Sequence, residues 1–235
     1  MSDPARYAIY LAPEEGSALA RFVAGILGYD AFSGLDVPHP AGPFPVVDWP
    51  AITTDPRRYG AHATLKAPFR LAPGMTRMAL EDAMAGFARA RRAFDIGPLA
   101  VSCIARDGQG GFIALTNPHE SAALRHLEAD TVRHFAPFRA PLSDAEIARR
   151  RPEQLTTRQR QNLAVHGYPF VMDDFAFHIT LTNWLPAPEA LADHLADRLA
   201  QDLGTVRFRV DALYLFEQTS VSARFRCTAR FPLSA

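Results

Sequence analysis

The tetrapeptides His62-Ala63-Thr64-Leu65 and His178-Ile179-Thr180-Leu181 share the pattern His-x-Thr-Leu and stand 116 positions apart in a chain of 235 residues. Each occupies the middle strand of a repeated order of elements. Hydrophobic periodicity predicts strand, helix, strand, helix, strand over 6–106, and the same succession over 111–231. A duplication this long that occurs only twice is not a solenoid. It predicts a single bilobal α+β domain over 1–235, a duplicated unit whose two antiparallel sheets flank a central cleft with helices outside. The second copy carries a helical insertion at about 139–170.

Local signals set the element boundaries. Arg6-Tyr7-Ala8-Ile9-Tyr10-Leu11 is rich in strand formers and is ended by Pro13. Segment 17–27 places Leu19, Phe22, Val23 and Ile26 at helical spacing, with Gly28 as the stop signal. The stretch 30–60 is broken by Pro38, Pro40, Pro43, Pro45, Pro50 and Pro56 and reads as a long loop of functional type. Strands are predicted at 61–71, 94–106, 111–116, 175–183, 206–216 and 221–231, and helices at 76–92, 118–135 and 188–203. Asp107-Gly108-Gln109-Gly110 is a hairpin signal. Inside the insertion, Ser143-Asp144-Ala145-Glu146 has the form of a capping box, and Arg149, Arg150, Arg151, Arg158 and Arg160 follow it. Either this segment overhangs the cleft as a lid or it presents a solvated basic face.

Side chains alternate across a strand, so His62, Thr64 and Lys66 are expected on one face, with Ala63 and Leu65 on the other. His178, Thr180 and Thr182 share a face in the second copy. A pseudo-two-fold relation would set the two polar rows against each other across one cleft. That arrangement suits phosphate ester chemistry. Two imidazoles with ordinary pKa values near 6.5 divide the roles of base and acid. Threonine hydroxyls donate to non-bridging phosphate oxygens, and an ammonium offsets charge as it builds. The candidate catalytic residues are His62 and His178. The candidate substrate contacts are Thr64, Thr180, Lys66 and Tyr10, the last as a stacking surface. Arg57, Arg58 and Tyr59 precede the first motif, where they either guide an anion into the cleft or form a solvated loop. Gln218, Thr219 and Ser220 would close one end of the site.

Composition narrows the ligand. Lysine plus arginine total 25 and aspartate plus glutamate total 25, so the chain carries no net charge and lacks the basic excess needed to coat long nucleic acid. A small phosphorylated substrate is expected, with a short RNA terminus as the alternative. Lys66 is the only lysine among the 25 basic residues, either a compact charge where a planar guanidinium would not serve or a chance survivor of the bias toward arginine. No metal or cofactor is expected. His119, His126 and His134 lack the spacing of a helical metal motif, and no Gly-x-x-x-x-Gly-Lys-Ser/Thr, Gly-x-Gly-x-x-Gly or Gly-x-Ser-x-Gly string occurs. Residues 1–6 show no leader and no apolar run is long enough to span a membrane, so a cytoplasmic monomer is expected. Cys103 and Cys227 read as reduced thiols within strands.

Paired His-x-Thr/Ser-x motifs on duplicated halves resemble the two-histidine phosphoesterase superfamily, which includes RNA 2′,3′-cyclic phosphodiesterases and ligases. The strings Arg6-Tyr7-Ala8-Ile9-Tyr10, His62-Ala63-Thr64-Leu65-Lys66-Ala67-Pro68-Phe69 and Phe177-His178-Ile179-Thr180-Leu181-Thr182 are similar to one branch of it, the phosphonate-metabolism proteins encoded with the carbon–phosphorus lyase system. The resemblance implies a bilobal fold with a central cleft and metal-independent hydrolysis of a cyclic phosphodiester. Its implied substrate is a phosphoribosyl cyclic phosphate or a related ester. An RNA-end phosphodiesterase and a non-catalytic binder of phosphorylated metabolites are the alternatives.

Overall fold

Alternation along β1 (Arg6–Leu11) divides the molecule into two sides. Tyr7, Ile9 and Leu11 enter the main hydrophobic core, whereas Ala8 and Tyr10 join a smaller apolar cluster with Tyr29, Tyr214 and Phe216 on the opposite face. The computed structural model describes residues 5–40, 47–105 and 110–235. Asp107, Gly108 and Gln109 of the hairpin signal, and Pro43 and Pro45 of the long loop, lie outside the described residues.

After β1 come α1 (Ala18–Leu27), the short pair β2 (Tyr29–Asp30) and β3 (Leu35–Asp36), the one-turn α2 (Trp49–Ile52), and β4 (Ala63–Phe69). The first succession ends with α3 (Arg77–Arg89), β5 (Phe94–Pro98) and β6 (Ala100–Ala105). The second begins with β7 (Gly111–Thr116) and α4 (Ala122–His134), followed by α5 (Asp144–Ala148) and α6 (Thr157–His166) of the insertion. It continues through β8 (His178–Thr180), α7 (Glu189–Leu203), β9 (Arg207–Val210), β10 (Ala212–Gln218) and β11 (Arg226–Pro232). The sequence signals act as read. Ser17 caps α1 by accepting the Ala20 N–H at 3.1 Å, and Gly28 ends it in the left-handed region. The capping box forms between Ser143 and Glu146 at the start of α5.

Two antiparallel sheets carry the fold, one in the order β11-β10-β1-β4 and the other β6-β7-β8. β4 and β8 are therefore edge strands, and they lie beside each other. The run 94–106, predicted as one strand, is two. Pro98 has no N–H to donate and Gly97 takes a positive φ, so the ladder breaks and the chain passes from pairing with β9 to pairing with β7. The run 206–216 breaks correspondingly at Asp211, after which β10 pairs with β1. Each main sheet thereby takes strands from both sequence halves.

Helices cover the core side, with α3 on β10 and β11, α4 on β4, and α7 on β6. Leu65, Leu80, Ile179, Leu195 and Leu213 are fully buried between the layers. Truncating one of them to alanine would cost about 2–5 kcal/mol. Among the described residues no helix is long and apolar enough to cross a membrane.

Candidate active site

His62 stands immediately before β4 and His178 opens β8, so the two adjoining edge strands bring both motifs to one place. His62, Thr64, His178 and Thr180 line a single cavity of about 350 Å³. The imidazoles are anchored alike. His62 Nδ1 lies 2.9 Å from the Gly60 carbonyl, and His178 Nδ1 lies 2.9 Å from the Ala176 carbonyl, in each case two residues earlier. A carbonyl only accepts, so both Nδ1 atoms carry the hydrogen and both Nε2 atoms keep a lone pair. Gly60 reaches this position at φ +76°, and a Cβ there would fall 2.5 Å from the Ala31 Cβ. Among the described residues neither Nε2, nor the hydroxyl of Thr64 or Thr180, has a protein partner.

Aromatic walls set the electrostatics. The His62 ring lies 4.0 Å from the Tyr10 ring and 5.7 Å from the Tyr59 ring, centroid to centroid. Burial there lowers its pKa from 6.5 to about 4, with repulsion from His178 adding to the shift and the Gly60 carbonyl opposing it. His178 packs 5.8 Å from the Phe112 ring, and burial lowers its pKa against the pull of the Ala176 carbonyl. Tyr10 faces the cavity as expected, on the opposite side of β1 from Tyr7. Its hydroxyl is held well above the usual phenol range by burial and by the neighbouring Tyr59 and Tyr168.

Lys66 is elsewhere. β4 carries a bulge at Leu65, because Tyr10 pairs with Thr64 while the next β1 residue, Ile9, pairs with Lys66. The extra residue reverses the alternation, so Lys66 shares the core face with Ile9, and Ala67 and Pro68 take its place in the cavity wall. Its ammonium is buried and donates to the Val132 carbonyl of α4 at 3.1 Å. Burial, together with Arg139 and against Glu128, brings its pKa down to about 8. The expected substrate contact through Lys66 is therefore corrected to a structural tie between β4 and α4. Thr182 lines the cavity with His178 and Thr180, as its place in the same polar row predicts, but its hydroxyl oxygen accepts the Ile113 N–H at 3.0 Å. Arg57 donates to the Leu27 carbonyl at 2.7 Å and Arg58 to the Val221 carbonyl at 2.9 Å, and only Tyr59 of that trio lines the cavity.

The structure adds wall residues that the sequence did not single out. Arg150 and Tyr168 come from the insertion and stack, the guanidinium carbon 5.1 Å from the ring centroid. The insertion thus forms one side of the cavity. Phe112, Asn183 and Trp184 line it from β7 and the segment after β8, and Arg6 stands at its rim. Phe112 was legible in principle, since residues of β7 in register with β8 must share its cleft face. Among the described residues no group of three or more His, Cys, Asp or Glu side chains is placed to hold a metal ion.

The family described as "Protein of unknown function (DUF1045)" matches residues 64–226, the greater part of the chain, which takes in His178 and begins two residues after His62. The chain belongs to this family. It is 32% identical over 244 aligned positions to "Ribose 1,5-bisphosphate phosphokinase PhnN" of Janthinobacterium sp. (strain Marseille), covering 97% of this chain and 51% of that protein. It is also 32% identical over 233 positions to the protein of the same name from Laribacter hongkongensis (strain HLHK9), covering 94% and 50%. The chain spans about half the length of the curated relatives it matches. A solved structure titled "Crystal structure of phosphoesterase" aligns over 99% of this chain and all of its own, at 13% identity and a TM-score of 0.43.

Proposed function

We propose that this protein of the DUF1045 family is a metal-independent cyclic phosphodiesterase that opens a cyclic phosphate ester on a small phosphorylated sugar, a phosphoribosyl cyclic phosphate or close relative. The observation that carries this reading is the matched pair of imidazoles. Both open on one cavity, and each has Nδ1 committed to a backbone carbonyl and Nε2 left for chemistry. His62, the histidine held neutral by its aromatic walls, takes the proton from the attacking water. His178, once its Nε2 has taken a proton from solvent to form the imidazolium, delivers that proton to the departing sugar oxygen, and the proton gained by His62 returns to solvent. One P–O bond forms as another breaks in line with it, and the product is a phosphomonoester. The Thr64 and Thr180 hydroxyls donate to the non-bridging oxygens, and Arg150 stabilises the charge that builds there. Tyr10 packs against His62 and the sugar.

Two further points support a phosphorylated ribose. The curated relatives are named for ribose 1,5-bisphosphate, and this chain corresponds to only half of each. It contains no Gly-x-x-x-x-Gly-Lys-Ser/Thr string, which favours assigning the phosphokinase chemistry of that name to the other half. Phosphorus NMR over a panel of cyclic phosphates, including a 2′,3′-cyclic RNA end, tests the reading. The wild-type chain should convert the phosphoribosyl cyclic ester to a monoester. His62→Ala and His178→Ala should each lower kcat about 10²-fold or more, with smaller changes in KM. Full activity in the doubly substituted protein would end the proposal, and binding of every ester without turnover of any would establish the non-catalytic alternative.

A further inference from the structure

A second cavity of about 180 Å³ adjoins the first and shares Arg6 with it as a common wall. Its other sides are Arg70, Ser143, Glu146 and Arg149 from β4's end and the insertion, and Gln218 and Ser220 from the end of β10. The one carboxylate in this lining is already used. Glu146 accepts from Arg70 at 2.7 Å and from the Ser143 N–H at 2.8 Å. Arg6 and Arg149, by contrast, have no carboxylate partner among the described residues, and neither does Arg150 in the first cavity.

Arg6 is fixed without being neutralised. Its Nε donates at 2.8 Å to Oε1 of Gln218, a side chain only 1% exposed. The amide is locked in that orientation because its Nε2 donates to the Ala223 carbonyl at 2.7 Å. A carboxylate in the place of Gln218 would hold the guanidinium equally well and cancel its charge; a neutral amide holds it and leaves the charge in force. Arg149 reaches the cavity from the opposite wall, with Nε donating to the Ala145 carbonyl and the rest of its fork directed to no carboxylate. Two uncancelled guanidiniums therefore face a space that shares a wall with the cavity of the paired histidines, while the Ser143 and Ser220 hydroxyls in its lining are held by Glu146 and by Ser222 and the Ala223 N–H.

We infer that this second cavity is an anion subsite for a phosphomonoester carried by the same substrate, away from the cyclic phosphate that lies between His62 and His178. The inference rests on the proposed reaction and deepens it. Arg6 stands between the two phosphates, and Arg149 makes the insertion a specificity element rather than a solvated ornament. A dianionic terminal phosphate suits two guanidinium forks better than the monoanionic diester of an RNA chain does.

The experiment compares two cyclic esters, ribose cyclic phosphate with and without a 5-phosphate, in wild-type and Arg149→Ala protein. Arg149 is exposed and makes no contact with the histidines, so the variant is expected to fold. KM for the 5-phosphorylated ester should rise about 10-fold or more, while constants for the unphosphorylated ester stay within about twofold. Binding of ribose 5-phosphate, followed by calorimetry, should weaken equally in Arg149→Ala and persist in His178→Ala. Equal losses on both esters, no loss on either, or ribose 5-phosphate binding unaffected by Arg149→Ala would overturn the subsite. So would a preference for a cyclic-phosphate RNA end over the phosphorylated ribose ester. Failure of the reaction itself reads differently: wild-type protein would turn over neither ester, whatever ribose 5-phosphate does.

Discussion

The aromatic setting of His62 makes a prediction about acid stability that needs no substrate. In the unfolded chain this imidazole titrates near 6.5, and in the folded protein burial brings it to about 4. The gap corresponds to about 3 kcal/mol against the folded state once the group is protonated. Attraction of an imidazolium to the Tyr10 face, about 0.5–1 kcal/mol, is too small to reverse this. The sign follows from proton counting. Between pH 6.5 and 4 the unfolded chain binds a proton that folded His62 does not, so stability falls as pH falls through that window and levels off below it. His178, lowered in the same direction, adds to the slope.

Urea denaturation of wild type and His62→Gln at pH 7 and pH 4 measures the effect. Relative to wild type, the variant should gain about 3 kcal/mol on going from the higher pH to the lower, because glutamine has no proton to refuse. The same group should appear in turnover as the acid limb of kcat/KM near pH 4, with the alkaline limb set by His178 below its ordinary value. Each limb should vanish when its own histidine is replaced. A stability difference between wild type and variant that stays constant across the two pH values would refute the reasoning, as would an acid limb at 6.5.

Other outcomes follow from the same geometry. Gly60→Ala forces a Cβ against Ala31 at a positive φ, and is expected to cost about 1–3 kcal/mol and to lower kcat by moving the carbonyl that orients His62; thermal denaturation and steady-state kinetics check both. Lys66→Met should leave KM within about twofold, since the ammonium serves Val132 and not the cavity, and a large rise in KM would return Lys66 to the substrate. Because buried Lys66 gives up its proton near pH 8 and an unfolded lysine keeps it to about 10.5, wild-type stability should gain between those values, and Lys66→Met should lose that gain. Turnover should survive dialysis against a chelator; activity lost there and restored by a divalent cation would show that the histidines do not act alone.

The histidine pair was legible because it depends on local facts repeated twice: a period of two, a polar row and an apolar row, and the same order of elements around each. Those facts fix which face His62, Thr64, His178 and Thr180 take, and the cavity bears that out. Lys66 was misread for a reason the same logic contains. Alternation holds only while the ladder stays in register; one extra residue at Leu65 turns Lys66 to the core face, and a second shift before Phe69 brings the strand back to its first alternation. Nothing in His-Ala-Thr-Leu-Lys announces the bulge; only the pairing with β1 does.

The arginines of the site were hidden differently. Arg6, Arg149 and Arg150 meet at the two cavities from strand β1 and from an insertion more than a hundred residues later. In a chain whose 25 basic residues include 24 arginines, no composition signal separates these three from those paired on the surface. What separates them is their place on the walls of the two cavities; the lack of a carboxylate partner does not, since Arg92 and Arg209 lack one as well among the described residues. Guanidiniums gathered on the walls of adjoining cavities repel one another, and an anion bound there would relieve that repulsion. Net charge is zero for the whole chain, yet the fold brings Arg6 and Arg150 to the cavity of the paired histidines, where Asp55 is the one carboxylate in the lining. On the proposed reading, selectivity lies in which arginines the fold brings to these two cavities, Arg6, Arg149 and Arg150.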